Sequence, residues 1–444
     1  MSKAGAIAAT SALHLLEQYR EGTSFFWSSP QHTLLAQGER LRFPVSAVQQ
    51  QVESDSSGNM DHAHGNHVEG VHFVIEQVRN MIQEAQQTGL RNPIVVGAIP
   101  FDPSQSSAEL IIPETVQWAE PPSHAANESY ERRPAAAGCE IEEVPGAETY
   151  QRSVNHVLRQ MEQGELDKVV LSRTLRVVSN DLVDIHQLLR NLFRDNAHGY
   201  TFAVPMRKVS ETESTITTLK SDDDEVNHQG TRTFIGASPE LLVTRKGTII
   251  RANPLAGSAA RSDDPAEDRR RAEALLASAK DRHEHAVVID AVAAALRPLC
   301  KQLIVPAEPS LIQTSTMWHL STEIHGELLN RDISSLEVAF ALHPTPAICG
   351  TPVLTAREAI GSQEPFDRGL FTGMVGWCDS EGDGEWAVTI RCAEVEGNEL
   401  RLFAGAGIVA GSTPEAELAE TSAKFRTMLL AMGLDSTVSR LKEE

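Results

Sequence analysis

Cysteine is scarce in this chain: five residues in 444, at positions 139, 300, 349, 378 and 392, far apart and without a Cys-x-x-Cys pair. That excludes a disulfide framework and a zinc ribbon. No run of 18 apolar residues occurs that would span a bilayer as a helix. Positive charge is short as well, with 39 Lys and Arg against 61 Asp and Glu and a formal net charge of −22. The basic footprint needed for nucleic acid or an anionic membrane is therefore missing, and an anionic substrate needs cations concentrated at its own site. What is present, 41% hydrophobic and 23% charged residues, suits a soluble globular protein with a large core. At about 150 residues per domain, the length fits two or three domains or one large α/β unit. The segment 4–16 is interrupted by Thr10, Ser11 and His14 and runs on into Tyr19, Arg20 and Glu21. It reads as an amphipathic helix rather than a signal segment, and the cytoplasm is the expected compartment.

Three stretches read as loops: 49–70, polar and Ser/Gly-rich; 120–148, with four prolines; and 208–232, with an acidic run at Asp222, Asp223, Asp224 and Glu225. Such segments bury too little apolar surface to offset their ordering entropy. The second is the expected boundary between an N-terminal region, 1–148, and the catalytic body. The third reads as a hairpin insertion between β-like runs at 200–204 and 233–235. Further on, 168–172 is a short apolar strand, and 241–244 with 248–251 is a hairpin turning at Lys246-Gly247. Asp264-Pro265-Ala266-Glu267 predicts a helix start, with a capping Asp, a proline at the first position and Glu267 reaching back. The pattern repeats at 278–281 before a second helix over 283–296. A strand over 400–404 enters Gly405-Ala406-Gly407, and Thr413-Pro414 opens a last helix to about Leu430. Regular βαβ spacing is lacking, so a mixed sheet with packed helices is expected.

Two late helices carry the sharpest chemical pattern. Asp281 and Glu284 on one, and Glu417, Glu420 and Lys424 on the other, place carboxylates on one helical face each. Across a cleft they would offer oxygen ligands suited to Mg²⁺; the spacing alone favours solvated faces of an acidic protein. Gly405-x-Gly407 has the wrong spacing for a dinucleotide loop and is either an ordinary turn or a cradle of N–H groups for a carboxylate. Lys168 is either a desolvated base or a side chain that snorkels to water. Glu240 is a general acid or a turn residue. His62, His64 and His67 lie in the polar 49–70 stretch and read as solvated rather than metal-binding.

Taken together, several ordered runs resemble the chorismate-utilising enzymes, which include isochorismate, anthranilate, aminodeoxychorismate and salicylate synthases. They are VGAIPFD at 96–102, DKVVLSR at 167–173, GASPEL at 236–241, PLAGSA at 254–259 and KDRHEH at 280–285. They continue with WHL at 318–320, HPTPA at 343–347, GWCD at 376–379, TIRC at 389–392 and LFAGAGIV at 402–409. The likeness is greatest to isochorismate synthases of catecholate siderophore pathways. It implies an α/β fold of the α+β type, with two packed, mainly antiparallel sheets, helices outside and a deep site between. It also implies one structural unit in which 149–436 is the chorismate-binding catalytic region and 1–148 is integrated with it.

Carried over residue by residue, the resemblance makes Lys168 the base that activates water and Glu240 the acid that protonates the departing hydroxyl. Glu284 and Glu420 match direct Mg²⁺ ligands, with Asp281 and Glu417 holding its waters. Arg391, Lys424 and the Gly405, Ala406 and Gly407 amides match groups that bind substrate carboxylates, and Gly257, Ser258, His319 and Ala347 line the ring. The chemistry is consistent: attack at the 2-position and loss of the 4-hydroxyl need a base and an acid on opposite sides, so Lys168 must be neutral and Glu240 protonated. The alternatives are a salicylate synthase, which goes on to eliminate pyruvate, and a silent chorismate-binding scaffold. An ammonia-using enzyme fits less well, because Lys168 suits water. Aminodeoxychorismate formation fits less still, because Ala256 stands where many such enzymes carry a lysine. A monomer with transient contacts to downstream siderophore enzymes is expected.

Overall fold

The computed structural model describes residues 11–44, 60–122, 132–207 and 231–434. Strands and helices are numbered in chain order. The first sheet runs β18 (Gly350–Thr351), β8 (Lys168–Val178), β22 (Glu399–Val409), β21 (Cys392–Glu396), β10 (Arg232–Ser238), β9 (Tyr200–Met206), β1 (Ser24–Ser28), β2 (Thr33–Gln37) and β6 (Thr115–Ala119), with β7 (Glu140–Val144) also paired to β8. The second runs β14 (Cys300–Ile304), β17 (Ile324–Leu328), β12 (Ile249–Asn253), β11 (Leu241–Lys246), β20 (Gly384–Val388), β19 (Met374–Asp379), β4 (Ile94–Ile99), β5 (Glu109–Ile112) and β3 (Leu41–Arg42). A small third sheet, β13 (Leu255–Ala260), β16 (Met317–Ser321) and β15 (Ser310–Gln313), stands beside them. Every strand pair is antiparallel.

The two large sheets pack face to face because their strands are apolar on both sides. Successive side chains of a strand point to opposite faces. In β1, Phe25 and Trp27 join Val96, Val375 and Ala387 of the second sheet in the middle layer, while Phe26 turns to the outer face. Each large apolar side chain buried in this way contributes roughly 1.5–3 kcal/mol. Helices α1 (Ala12–Glu17), α4 (Ile185–Asp195) and α9 (Pro414–Met432) cover the outer face of the first sheet through Leu16, Leu189 and Met428. The outer face of the second is covered by α2 (Met60–Gln87), α6 (Ala279–Leu296) and α7 (Ser335–Leu342), through Val78, Val288 and Leu336. Helices α3 (Ala147–Glu162) and α8 (Val353–Gln363) close over β8 through Val154 and Ile360, and α5 (Pro265–Ala277) lies against the third sheet.

Helix starts follow local chemistry. Asp264 accepts from Ala266 N, Ser278 from Asp281 N and Thr413 from Ala416 N. Glu267 does not reach back to its cap; its carboxylate pairs with Arg270 and Arg271, three and four residues on along the same face of α5. Residues 60–70 are helical, not a loop: Val71, Val74, Val78 and Met81 recur at helical spacing, and the polar first turns extend from that anchored part. Residues 140–144 are likewise a strand, paired along the edge of β8 from Glu140↔Val178 to Val144↔Thr174. The remaining loop residues 49–59, 123–131 and 208–230, the segment 1–10 of the expected first helix, and the side chains of His62 and His64 lie outside the described residues. On either side of 208–230, β9 and β10 pair from Tyr200↔Ser238 to Met206↔Arg232.

Candidate active site

One cavity collects most of the residues singled out by sequence. Glu240, Gly257, Ser258, Glu284, His319, Ala347, Arg391, Gly405, Gly407, Glu420 and Lys424 all line it. They come from β13, β16, β22, α6, α9, the turns after β10 and β20 and the loop after α7, so residues up to 184 positions apart meet in one cavity (240 to 424).

Lys168 is the first residue of β8 and is fully buried. Its Nζ donates to Glu284 Oε1 at 2.8 Å, so it does not snorkel. Burial opposes ionisation of Glu284, but Lys168 and the further lysines Lys280 and Lys424 hold its pKa below the usual carboxylate value. Glu240 sits between β10 and β11 and is 3% exposed. Burial pushes its pKa up to about 7, against the pull of the Leu255 N–H and of Lys168, Lys424 and Arg391. It can therefore carry a proton near neutrality.

On the other side, Arg391 is held at φ 52° in the left-handed region, a conformation that a long side chain adopts only under tertiary constraint. Its Nη2 donates to His319 Nε2 at 3.1 Å. A guanidinium has no acceptor, so His319 must carry its proton on Nδ1 and donate it to Ser258 Oγ at 2.8 Å. Burial, with Arg391 and Lys424 nearby, lowers the His319 pKa well below its ordinary value and keeps the ring neutral. Ser258 is left with its own hydroxyl proton free to donate.

Three of the four helical carboxylates, Glu284, Glu417 and Glu420, are each paired with a lysine. Lys280 Nζ lies 2.9 Å from Glu417 Oε1 and joins α6 to α9; Lys424 Nζ lies 2.7 Å from both Glu420 Oε1 and the Gly405 carbonyl. Burial and the Glu420 charge push Glu417 up to about 7, and burial raises Asp281. Asp281 and Glu417 are not among the cavity's lining residues; Asp281 packs against Gly257, which is one of them. Among the described residues no three His, Cys, Asp or Glu side chains converge as a metal-holding group. Among the described residues the buried Oε2 of Glu417 has no hydrogen-bond partner, and Glu284 and Glu420 both face the cavity.

Three sequence readings are corrected. Gly405, Ala406 and Gly407 form no turn; they are extended within β22, paired with Ser172, Leu171 and Val170 of β8. The glycines answer a steric need, since a Cβ at Gly407 would stand 2.2 Å from Glu284 Oε1 and one at Gly405 2.7 Å from Ser172 Oγ. Strand alternation turns Ala406 to the opposite face, out of the cavity wall. β21 pairs with β22 only as far as Leu402, and beyond it the β22 edge borders the cavity. The third correction is His67, which is not solvated: Nδ1 lies 3.3 Å from Asp102 and Nε2 3.2 Å from Arg357. Lining residues missed by sequence include Val170, Ile348, Phe371 and Thr372. Val170 was reachable, two residues along the strand from Lys168; the others are placed by loops whose path no local pattern records.

The description of a chorismate binding enzyme matches residues 103–430. The isochorismate synthase DhbC of Bacillus subtilis (strain 168) is 50% identical over 429 residues, covering 97% of this chain and 98% of that protein. A vibriobactin-specific isochorismate synthase of Vibrio cholerae is 38% identical, covering 96% and 95%. A crystal structure from Bacillus anthracis, described as a 2,3-dihydroxybenzoate-specific isochorismate synthase, DhbC, has a TM-score of 0.81 at 48% identity and covers 96% of this chain and 100% of that one.

Proposed function

The chain belongs to the chorismate-binding enzyme family, and on that premise we propose that it is an isochorismate synthase. It converts chorismate to isochorismate by adding water at the 2-position as the 4-hydroxyl leaves, in support of catecholate siderophore synthesis. The observation that carries this reading is the gathering of Lys168, Glu240, Glu284 and Glu420 about one cavity, with Arg391 and Lys424 alongside.

In this reading Arg391 and Lys424 bind the two carboxylates of the substrate, giving local positive charge within a protein of net charge −22. Glu240 delivers its proton to the departing oxygen, for which burial has prepared it. Lys168 takes the proton of the attacking water, which requires that its bond to Glu284 open and that its ammonium first give up a proton to solvent, since an ammonium has no lone pair to accept one. Each proton transfer contributes on the order of 10²–10⁴-fold. Ser258, polarised through His319 and Arg391, donates to a substrate oxygen. The residues fit Mg²⁺: Glu284 and Glu420 are the two carboxylates such an ion typically takes, and the orphaned Glu417 Oε2, with Asp281, suits its waters. A bound Mg²⁺ supplies Lewis-acid polarisation of the ring carboxylate.

No described helix is long and apolar enough to cross a membrane. A cytoplasmic monomer, passing product to downstream enzymes through transient contacts, completes the proposal, as does the division into an integrated 1–148 region and a catalytic region 149–436. Chromatography of chorismate incubated with the enzyme and Mg²⁺ tests it. Isochorismate as the end product is expected; fluorescent salicylate with pyruvate would establish the salicylate synthase, and unchanged chorismate the silent scaffold.

A further inference from the structure

Strand β8 carries Lys168, and one of its edges is incomplete. β18 covers that edge at Lys168 and Val169, and β7 covers it from Thr174 to Val178. Between them, Val170 and Ser172 present backbone groups to no strand among the described residues. A buried antiparallel edge cannot leave such groups unpaired without a cost of about 1–3 kcal/mol each. Val170 N finds the Cys349 carbonyl at 2.8 Å. The Val170 carbonyl and the Ser172 N–H are taken by a side-chain pair. Glu364 Oε1 accepts from Ser172 N at 2.8 Å, and Arg368 Nη2 donates to the Val170 carbonyl at 2.8 Å.

The pair is closed and buried, with side chains 2% and 3% exposed. Arg368 Nε and Nη2 bond both oxygens of Glu364, at 2.8 and 2.6 Å. Its remaining nitrogen, Nη1, reaches across to the Ile348 carbonyl at 2.8 Å and Thr372 Oγ1 at 3.2 Å. Val170, Ile348 and Thr372 belong to three separate segments, and all three line the reaction cavity. Thr372 is held at φ 58°.

We propose that the Glu364–Arg368 pair is a positioning device for the reaction: a side-chain substitute for the missing stretch of strand that sets the Lys168 strand at a fixed distance from the Ile348 and Thr372 wall. A carboxylate supplies the acceptor and a guanidinium the donor that a neighbouring strand would have provided. Only a planar five-donor group can hold both walls at once; an ammonium on a flexible stem cannot. The pair touches no reacting atom. Its effect is on geometry, where a displacement of about 1 Å can cost on the order of 10²-fold in rate.

The assignment rests on the functional reading above, and one assay separates the two. Wild type and Arg368→Lys, each with Mg²⁺, are compared for kcat and KM with chorismate, with thermal unfolding as the control for folding. Arg368→Lys keeps the charge opposite Glu364 but can serve only one wall. The expected result is a folded enzyme whose kcat falls by about tenfold or more while KM changes by less than about threefold. A kcat within about twofold of wild type, or a loss carried by KM alone, overturns the positioning role and leaves the functional reading intact. A wild type that makes no isochorismate overturns both. Should Arg368→Lys fail to fold, Glu364→Gln is judged by the same split, since it leaves Ser172 N–H and Arg368 competing for one carbonyl oxygen.

Discussion

Lys168 Nζ and Glu284 Oε1 are 2.8 Å apart in a buried ion pair that joins the start of β8 to the second turn of α6. The residues stand 116 positions apart in the chain, and Gly407 is the backbone they both pack against. The expected base and an expected metal ligand are therefore one electrostatic unit, and changes to either act on both.

Removing the lysine separates binding from chemistry. Lys168→Ala is expected to lower kcat by on the order of 10²–10⁴-fold, while calorimetry still detects chorismate binding through Arg391 and Lys424. A variant that retains most of the wild-type turnover would remove Lys168 from the mechanism.

Chelation tests the carboxylates. Activity is expected to disappear in EDTA and to return with Mg²⁺, and Mg²⁺ is expected to raise the unfolding temperature of the wild type, because an ion that binds only the folded state stabilises it. Glu284→Gln should lose that thermal shift. Full activity in chelator would refute the metal assignment.

Glu240 sets a pH dependence. Burial places its pKa at about 7, and the protonated form is the acid. The value of kcat/KM should therefore hold below neutrality through this group and fall as pH rises past about 7. Glu240→Gln, with no proton to give, should be inactive throughout. An activity that is flat across this range would sink the role.

Glu385 offers a stability test outside the cavity. It accepts from Trp27 Nε1 at 3.1 Å with His32 Nε2 3.4 Å away, and burial pushes its pKa from 4.5 to about 7 against the pull of Ser29 and Trp27. Below the lower value both folded and unfolded chains are protonated. Between the two values only the unfolded chain ionises, so folding loses stability as pH rises, and above the upper value the loss is complete, on the order of 3 kcal/mol. Glu385→Gln should be neutral at acid pH and increasingly stabilising up to neutrality, read as a difference in unfolding temperature. An equal effect at both ends would show that ionisation is not the cause.

Gly407→Ala probes closeness. The added Cβ would lie 2.2 Å from Glu284 Oε1 and 3.1 Å from Lys168 Cε. It should displace that pair and cost on the order of 10²-fold in kcat, with a small change in unfolding temperature. Wild-type kcat would mean that the site relaxes without consequence.

The sequence by itself determined what is local or carried by whole motifs. Caps at Asp264, Ser278 and Thr413, the hairpin through Gly247 and the candidate residues themselves were legible, because each depends on neighbours a few positions away or on strings such as DKVVLSR. Spacing alone assigned Glu284 and Glu420 to solvated faces and Lys168 to a snorkelling position, and the resemblance was needed to reverse this. Only the tertiary structure decided that Gly405 and Gly407 are strand residues kept small by Glu284 and Ser172, that Arg391 fixes the tautomer of His319, and that Glu364 and Arg368 stand in for a strand. The physical reason is the same in each case. A steric limit or a hydrogen bond across 61 to 233 positions (61 from Ser258 to His319, 233 from Ser172 to Gly405) leaves no period or spacing in the chain; it exists only once burial has brought the partners together and removed the water that would otherwise satisfy them.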